Sequence, residues 1–324
     1  MARSPDDRRS PRRKQGGKQA QPVRRTPVAG SAARGPVRVE RSFVETYRNW
    51  IVAGILAVVV IAVGTILALK VRGKSSSSTS AGAGTQAEHQ LASPQLLAEL
   101  ASIPATTFDS VGTGTAGGTI KALDNSPLQQ DGKPLIFYYG AEFCPFCAAQ
   151  RWPMVVALSR FGSFSNLGLT SSAANDVFAN TPTFSFHGAS YTSQYVAFSA
   201  VETTTNQPDG KGFYTKLDTP TPEQQALVQK YDAPPYTQSA GGIPFVDFGN
   251  KYATYGAMYS NNVLMGLTQQ QIADALKDPS SEQAKAILGA ANIVSAAICK
   301  LTNNQPASVC NSPGVLAGAA RLGR

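Results

Sequence analysis

From Ile51 to Leu69 the chain reads IVAGILAVVVIAVGTILAL, nineteen residues without a charge. As a helix rising 1.5 Å per residue this run is about 28 Å long, close to the hydrocarbon thickness of a bilayer. It predicts one transmembrane helix over 50–71, with Tyr47 and Trp50 at one interface and Lys70, Arg72 and Lys74 at the other. The segment also divides the charge. Residues 1–74 hold 16 of the 29 Lys and Arg but 4 of the 20 acids, leaving 13 basic and 16 acidic residues in 75–324. The net charge of +9 therefore belongs to the N-terminal flank, and no specific nucleic-acid partner is expected for the mildly acidic remainder. The basic flank predicts a cytoplasmic N-terminus, an extracytoplasmic C-terminal domain and the lipid bilayer as a partner. A cleaved signal peptide fits less well: the apolar run exceeds about 7–15 residues, and basic residues separate it from Ala81-Gly82-Ala83.

Around this anchor the composition changes in blocks. Residues 1–49, rich in Arg, Pro, Gly and Ser, read as a disordered tail, and 72–90, containing SSSSTSAGAGT, as a flexible linker. A folded domain is expected over 91–312 and a C-terminal tail over 313–324. In SPQLLAELASIP, Ser93 can cap a helix that starts at Pro94. The run LIFYYG after Asp131-Gly132-Lys133-Pro134 has the β-branched and aromatic content of a buried strand. AAQRWPMVVALSRF then reads as a helix with a kink at Pro153. NLGLTSS, PTFSFHGASY and QYVAFSAVE have strand composition, and TPEQQALVQKYD is a helix capped by Thr221 or Thr219. GGIPFVDFGNKYATYGAMYS reads as two strands joined at Gly249-Asn250. Two helices, TQQQIADALKD and SEQAKAILGAANIVSAAICKL, close the domain.

The chemistry concentrates in GAEFCPFCAAQRW, where Cys144 and Cys147 follow the strand and open the helix. A thiol in a first helical turn meets unpaired N–H groups and the positive end of the helix dipole, both of which favour the thiolate. Cys144 is thus the expected attacking thiol. Cys147, one turn later, is placed to resolve a mixed disulfide. Ile243-Pro244, just before the strand FVDFG, is the second candidate element, and with Phe146 it makes the expected substrate-binding set. Phe143 and Trp152 read as packing residues. Glu142 reads as an exposed loop carboxylate, and His187 as packed or edge-exposed. A zinc site needs about four ligands, and there is no second Cys-x-x-Cys: Cys299 and Cys310 are far from that spacing, and His89 and His187 are the only histidines. Outside the cytoplasm a structural disulfide is the default for Cys299 and Cys310. No metal and no prosthetic group are expected.

Residues 118–280, with the order strand, CPFC, helix, Ile-Pro strand hairpin and closing helix, resemble the thioredoxin superfamily. More specifically, GKPLIFYYGAEFCPFCAAQRWPM, LSRFGSF, TPTFSF and GGIPFVDFGNKY resemble a membrane-anchored, thioredoxin-like family known as a domain of unknown function. The resemblance implies an α/β, thioredoxin-like fold with a cis-proline at Pro244 facing the cysteines. Two departures stand out. Between Cys147 and Pro244 lie 96 residues, closer to the inserted domain of Dsb-type oxidases than to a minimal thioredoxin, and this insertion reads partly as strands. Thioredoxins bury an acid six residues before the first cysteine, where this chain has Tyr138. The expected function is a membrane-anchored thiol-disulfide oxidoreductase, with cysteine-containing exported proteins and a membrane or extracytoplasmic redox partner. The alternative is a non-catalytic binding or assembly module on the same fold, in which Cys144 and Cys147 form an inert structural disulfide.

Overall fold

The computed structural model describes residues 89–323 apart from Thr119 and Asp124. The expected tail, the apolar segment 50–71 expected to cross a membrane, and residues 72–88 of the expected linker lie outside the described residues. The domain opens with α1 (Pro94–Ala101) and α2 (Ala105–Val111). Ser93 caps α1, its hydroxyl accepting the Leu96 N–H, and Leu96 and Leu100 face the core.

A six-stranded sheet is built around β3 (Lys133–Gly140). On one side β3 pairs in parallel with β8 (Ala197–Glu202), Ile136 opposite Phe198 and Gly140 opposite Glu202. On the other it pairs antiparallel with β11 (Phe245–Phe248), which pairs with β12 (Tyr252–Tyr255). The short β1 (Lys121–Ala122) extends the β12 edge, and β2 (Gln129–Gln130) forms a hairpin with the start of β3. The strand therefore begins two residues earlier than LIFYYG suggests, because Asp131 and Gly132, both at positive φ, make the whole turn. Gly249 and Asn250 do the same between β11 and β12.

The parallel β3–β8 pair is connected through α3 (Pro145–Leu158), whose side chains are buried almost throughout. The helix runs through Pro153 to Leu158. Pro153 cannot donate to the Ala149 carbonyl, and the Tyr259 hydroxyl takes that place at 2.7 Å. Between α3 and β8 lie two nested hairpins: β4 (Gly162–Ser165) with β7 (Ser190–Ser193), enclosing β5 (Gly168–Ser171) with β6 (Pro182–Ser185). A third, β9 (Thr204–Pro208) with β10 (Tyr214–Lys216), follows β8. Then comes α4 (Pro222–Tyr231), where Thr221 and Gln224 form a capping box. The long interval between Cys147 and Pro244 thus holds the rest of α3, three β hairpins, the sheet strand β8 and α4.

After β12 the chain continues through α5 (Gln269–Ala275), α6 (Glu282–Leu301), α7 (Ala307–Cys310) and α8 (Pro313–Ala319). Among the described residues α6 is the one helix long and apolar enough to cross a membrane, but it is the buried core helix of this domain. Its small residues permit close approach: a Cβ at Gly289 would collide with the Thr113 backbone. Asn292, buried on α6, donates to the Phe108 and Gly112 carbonyls and so satisfies the end of α2.

Two boundary expectations are corrected. Residues 313–323 are not a tail: α8 packs on α6, with Gly318 against the Asn292 backbone, and the Gly323 N–H donates to Ile120. The linker ends earlier than residue 90, since His89 and Gln90 dock on the domain through Glu142 and Leu169. Cys310, at the end of α7, is disulfide-bonded to Cys299 as expected, Cα atoms 5.6 Å apart.

Candidate functional site

The site forms where β3 ends and α3 begins. Pro145 takes the first helical position, where a missing N–H costs nothing, and Cys144 becomes the N-cap. Its sulfur accepts the Cys147 N–H at 3.2 Å, and its thiol points at the Ile243 carbonyl, 3.8 Å away. The Ile243-Pro244 bond is cis. The structure thus brings Cys144, Cys147, Ile243 and Pro244 together from two distant segments. Both cysteines are free thiols, Cys147 fully buried and Cys144 4% exposed.

The two thiols are electrostatically unequal. The hydrogen bond from the Cys147 thiol, helped by the Cys147 N–H and the Arg151 charge, pulls Cys144 below the ordinary thiol range against the cost of burial. Burial pushes Cys147 well up, and donating to Cys144 pushes it further. The two shifts thus run in opposite directions, Cys144 toward the thiolate and Cys147 away from it.

Of the neighbouring aromatics, Phe146 is 43% exposed and meets the edge of Phe178 at 5.9 Å. Phe143 stacks on Tyr214 at 4.4 Å, and its carbonyl accepts the Ala173 N–H, so the β5–β6 connection and the β9–β10 hairpin both border the cysteine turn. Trp152 is buried, donating to the Pro182 carbonyl at 2.9 Å.

Glu142 is a correction: it is 1% exposed, not an exposed loop carboxylate. His89 Nε2 lies 2.7 Å from it, and the Ser185 hydroxyl donates to the same oxygen. These contacts stabilise the buried charge. His187, half-buried, pairs with Asp218 at 2.6 Å. Asp218 in turn accepts the Glu202 N–H, and the buried Glu202 grips Arg151 through two hydrogen bonds of 2.8 and 2.6 Å. Arg151 reaches back to the Ala141 carbonyl, 2.8 Å away. The circuit of polar contacts closes beside Cys144. Tyr138, also buried at this place, keeps its phenol far above the ordinary range because burial penalises the phenolate.

Sequence reading missed His89, Ser185, Arg151 and Glu202 as parts of this site. One signal was present: Arg151 falls four residues after Cys147, hence on the same face of an otherwise apolar helix. Nothing local marked Glu202 as its partner.

The family model described as Domain of unknown function (DUF929) matches residues 119–300. The chain belongs to this family. No curated protein and no solved structure matches it. The DUF929 match runs from β1 through most of α6 and contains Cys144, Cys147, Cys299 and the Ile243-Pro244 bond, whereas His89 and Cys310 lie outside it.

The His89–Glu142 pair of this DUF929 protein sets a pH dependence. The hydrogen bond to Glu142 raises the His89 pKa above its ordinary 6.5, against burial. Burial pushes Glu142 up, but the hydrogen bonds from His89 and Ser185 outweigh it and leave its pKa lowered from 4.5. The His89 contribution to stability is full below pH 6.5 and is lost as pH rises through its raised folded value; the Glu142 contribution is present above 4.5 and is lost as pH falls. Asp232 and Asp247, each pushed to about 7 by burial, add a slope of the same sign as His89. The readout is therefore a difference. Urea unfolding of the full chain from pH 5 to 9 is expected to give a smaller loss of stability toward high pH in His89→Gln than in wild type, and equal slopes would disprove the pairing.

Proposed function

We propose that this protein is a membrane-anchored, extracytoplasmic thiol-disulfide oxidoreductase that exchanges disulfides with exported proteins through Cys144 and Cys147. The observation that carries the reading is the Cys144 sulfur at the start of α3, receiving the Cys147 N–H and facing the Ile243 carbonyl. The topology supports a thioredoxin-like fold: strand order β8-β3-β11-β12, the cysteine helix after β3, the hairpin after Ile243-Pro244 and the closing helix α6 follow what the sequence resemblance implies. The β-hairpin insertion distinguishes it from a minimal thioredoxin. Anchoring rests on the apolar segment 50–71.

In the exchange the Cys144 thiolate attacks one sulfur of a substrate disulfide, forming a mixed disulfide and releasing the other substrate sulfur as a thiolate that takes up a proton. Cys147 then gives up its proton and attacks the Cys144 sulfur. The second substrate thiol leaves, two electrons have passed to the substrate, and the protein holds a Cys144–Cys147 disulfide. In reverse the same steps oxidise a substrate dithiol. The Ile243 backbone and the exposed Phe146 ring flank the position of the mixed disulfide.

One observation favours the second reading, a non-catalytic binding or assembly module: both sulfurs are nearly inaccessible. The two readings separate in the full-length Cys147→Ser variant. For the oxidoreductase, this variant accumulates mixed disulfides in cells, and the purified protein forms a stable adduct with glutathione disulfide; both disappear when Cys144 is also replaced by Ser. A Cys147→Ser protein that remains a free thiol in both settings establishes the module instead.

A further inference from the structure

We propose that Arg151, clamped by Glu202, is the positioning residue whose fixed positive charge stabilises the negative charge that forms on the Cys144–Cys147 pair during exchange. The inference rests on the oxidoreductase reading and deepens it. Arg151 lies one helical turn beyond Cys147 on the same face of α3. Its Nη2 donates to the Ala141 carbonyl, which also accepts the Cys144 N–H at 3.3 Å, so the guanidinium is tied directly to the turn that carries the attacking sulfur.

The orientation is imposed from the far side. Glu202, at the end of β8, holds Nε and Nη2, while its other contacts, the Phe186 N–H and its own N–H on Asp218, fix the carboxylate in place. One face of the guanidinium neighbourhood is closed by the Tyr138 ring, 5.8 Å away. Nη1 is buried and has no hydrogen-bond partner among the described residues, and neither has the Tyr138 hydroxyl. A pure structural staple gains nothing from an unpaired buried donor on a cation, whereas a site that must receive developing negative charge does. The Arg151 charge favours ionisation of both thiols, in agreement with this geometry. As Cys144 is attacked in the resolving step, charge must form on Cys147, the more deeply buried sulfur, and a fixed cation one turn away lowers the cost of that transfer.

The test uses full-length protein carrying Cys147→Ser, so that thiolate absorbance near 240 nm reports Cys144 alone. Replacing both Arg151 and Glu202 by Met removes the charge and keeps an apolar filling, which a buried pair tolerates better than loss of one partner. In that variant the Cys144 titration is expected to move up, with about tenfold less thiolate at neutral pH. In Glu202→Gln the guanidinium stays, and the titration is expected not to rise. A packing role would move both variants alike. An unchanged titration in the double Met variant, or a rise of equal size in Glu202→Gln, overturns the proposal. Glutathione capture by Cys147→Ser alone reports on the oxidoreductase reading, so the two failures are distinguishable.

Discussion

Replacing Arg151 alone by Met is expected to destabilise the domain by about 3–5 kcal/mol, because it leaves the Glu202 carboxylate buried without its counter-charge. Both side chains are fully buried, and the guanidinium supplies both of the close hydrogen bonds to the acid. The loss reaches further than one pair. Burial opposes the charge on Arg151, and the Glu202 carboxylate overrides it, holding the guanidinium well above its ordinary range. With Arg151 gone, only the Phe186 N–H is left among these contacts to oppose burial at Glu202, whose pKa burial already raises. Urea unfolding followed by circular dichroism checks the magnitude. Adding Glu202→Met should recover most of the loss, and a single variant within about 1 kcal/mol of wild type would contradict the buried pairing.

Trp152→Ala should have an effect of similar size, about 3–5 kcal/mol, for a different reason. The indole is among the largest fully buried side chains, meets Phe184 edge-on at 4.6 Å and donates to the Pro182 carbonyl. Removing it opens a cavity between α3 and β6 and leaves that carbonyl without its donor. Since β6 leads back to the segment whose Ala173 N–H holds the Phe143 carbonyl, the cysteine turn should loosen as well. Alkylation of Cys144 by iodoacetamide is then expected to become faster. Circular dichroism is the probe of choice for stability, as Trp50 is the only other tryptophan and lies outside the domain. A loss under about 1 kcal/mol with unchanged alkylation would show that the insertion is held by other contacts.

These two side chains lie next to one another in sequence, yet they differ in how visible they were. An aromatic at an apolar helix position reads as core from its periodicity, and Trp152 is core. Arg151 in the same run carried no such meaning until its partner, 51 residues away on β8, was placed beside it. Glu142 is the sharper case. Next to a turn its carboxylate reads as solvent-exposed, because a buried charge is costly; His89 and Ser185, 53 and 43 residues away, offset that cost. The docked helix α8 was similarly silent in the sequence: Pro-Gly-Val-Leu-Ala-Gly-Ala is too short to declare a helix, and it is the fit of Gly318 and Gly314 against Asn292 that holds it.

The chain's local code determined its elements. Caps at Ser93, Thr221, Thr268 and Ser281, the Gly249-Asn250 turn and the apolar runs around them place most helices and the main strands, because each depends on residues within a few positions of one another. Tertiary structure alone decided the environment of the cysteines: which carbonyl Cys144 faces, which acid holds Arg151, and how far each sulfur is from water. The physical reason is that helix and turn propensities are settled by short-range sterics and hydrogen bonds. The ionisation of a buried group depends instead on charges and dielectric contributed by segments that only the folded chain brings together.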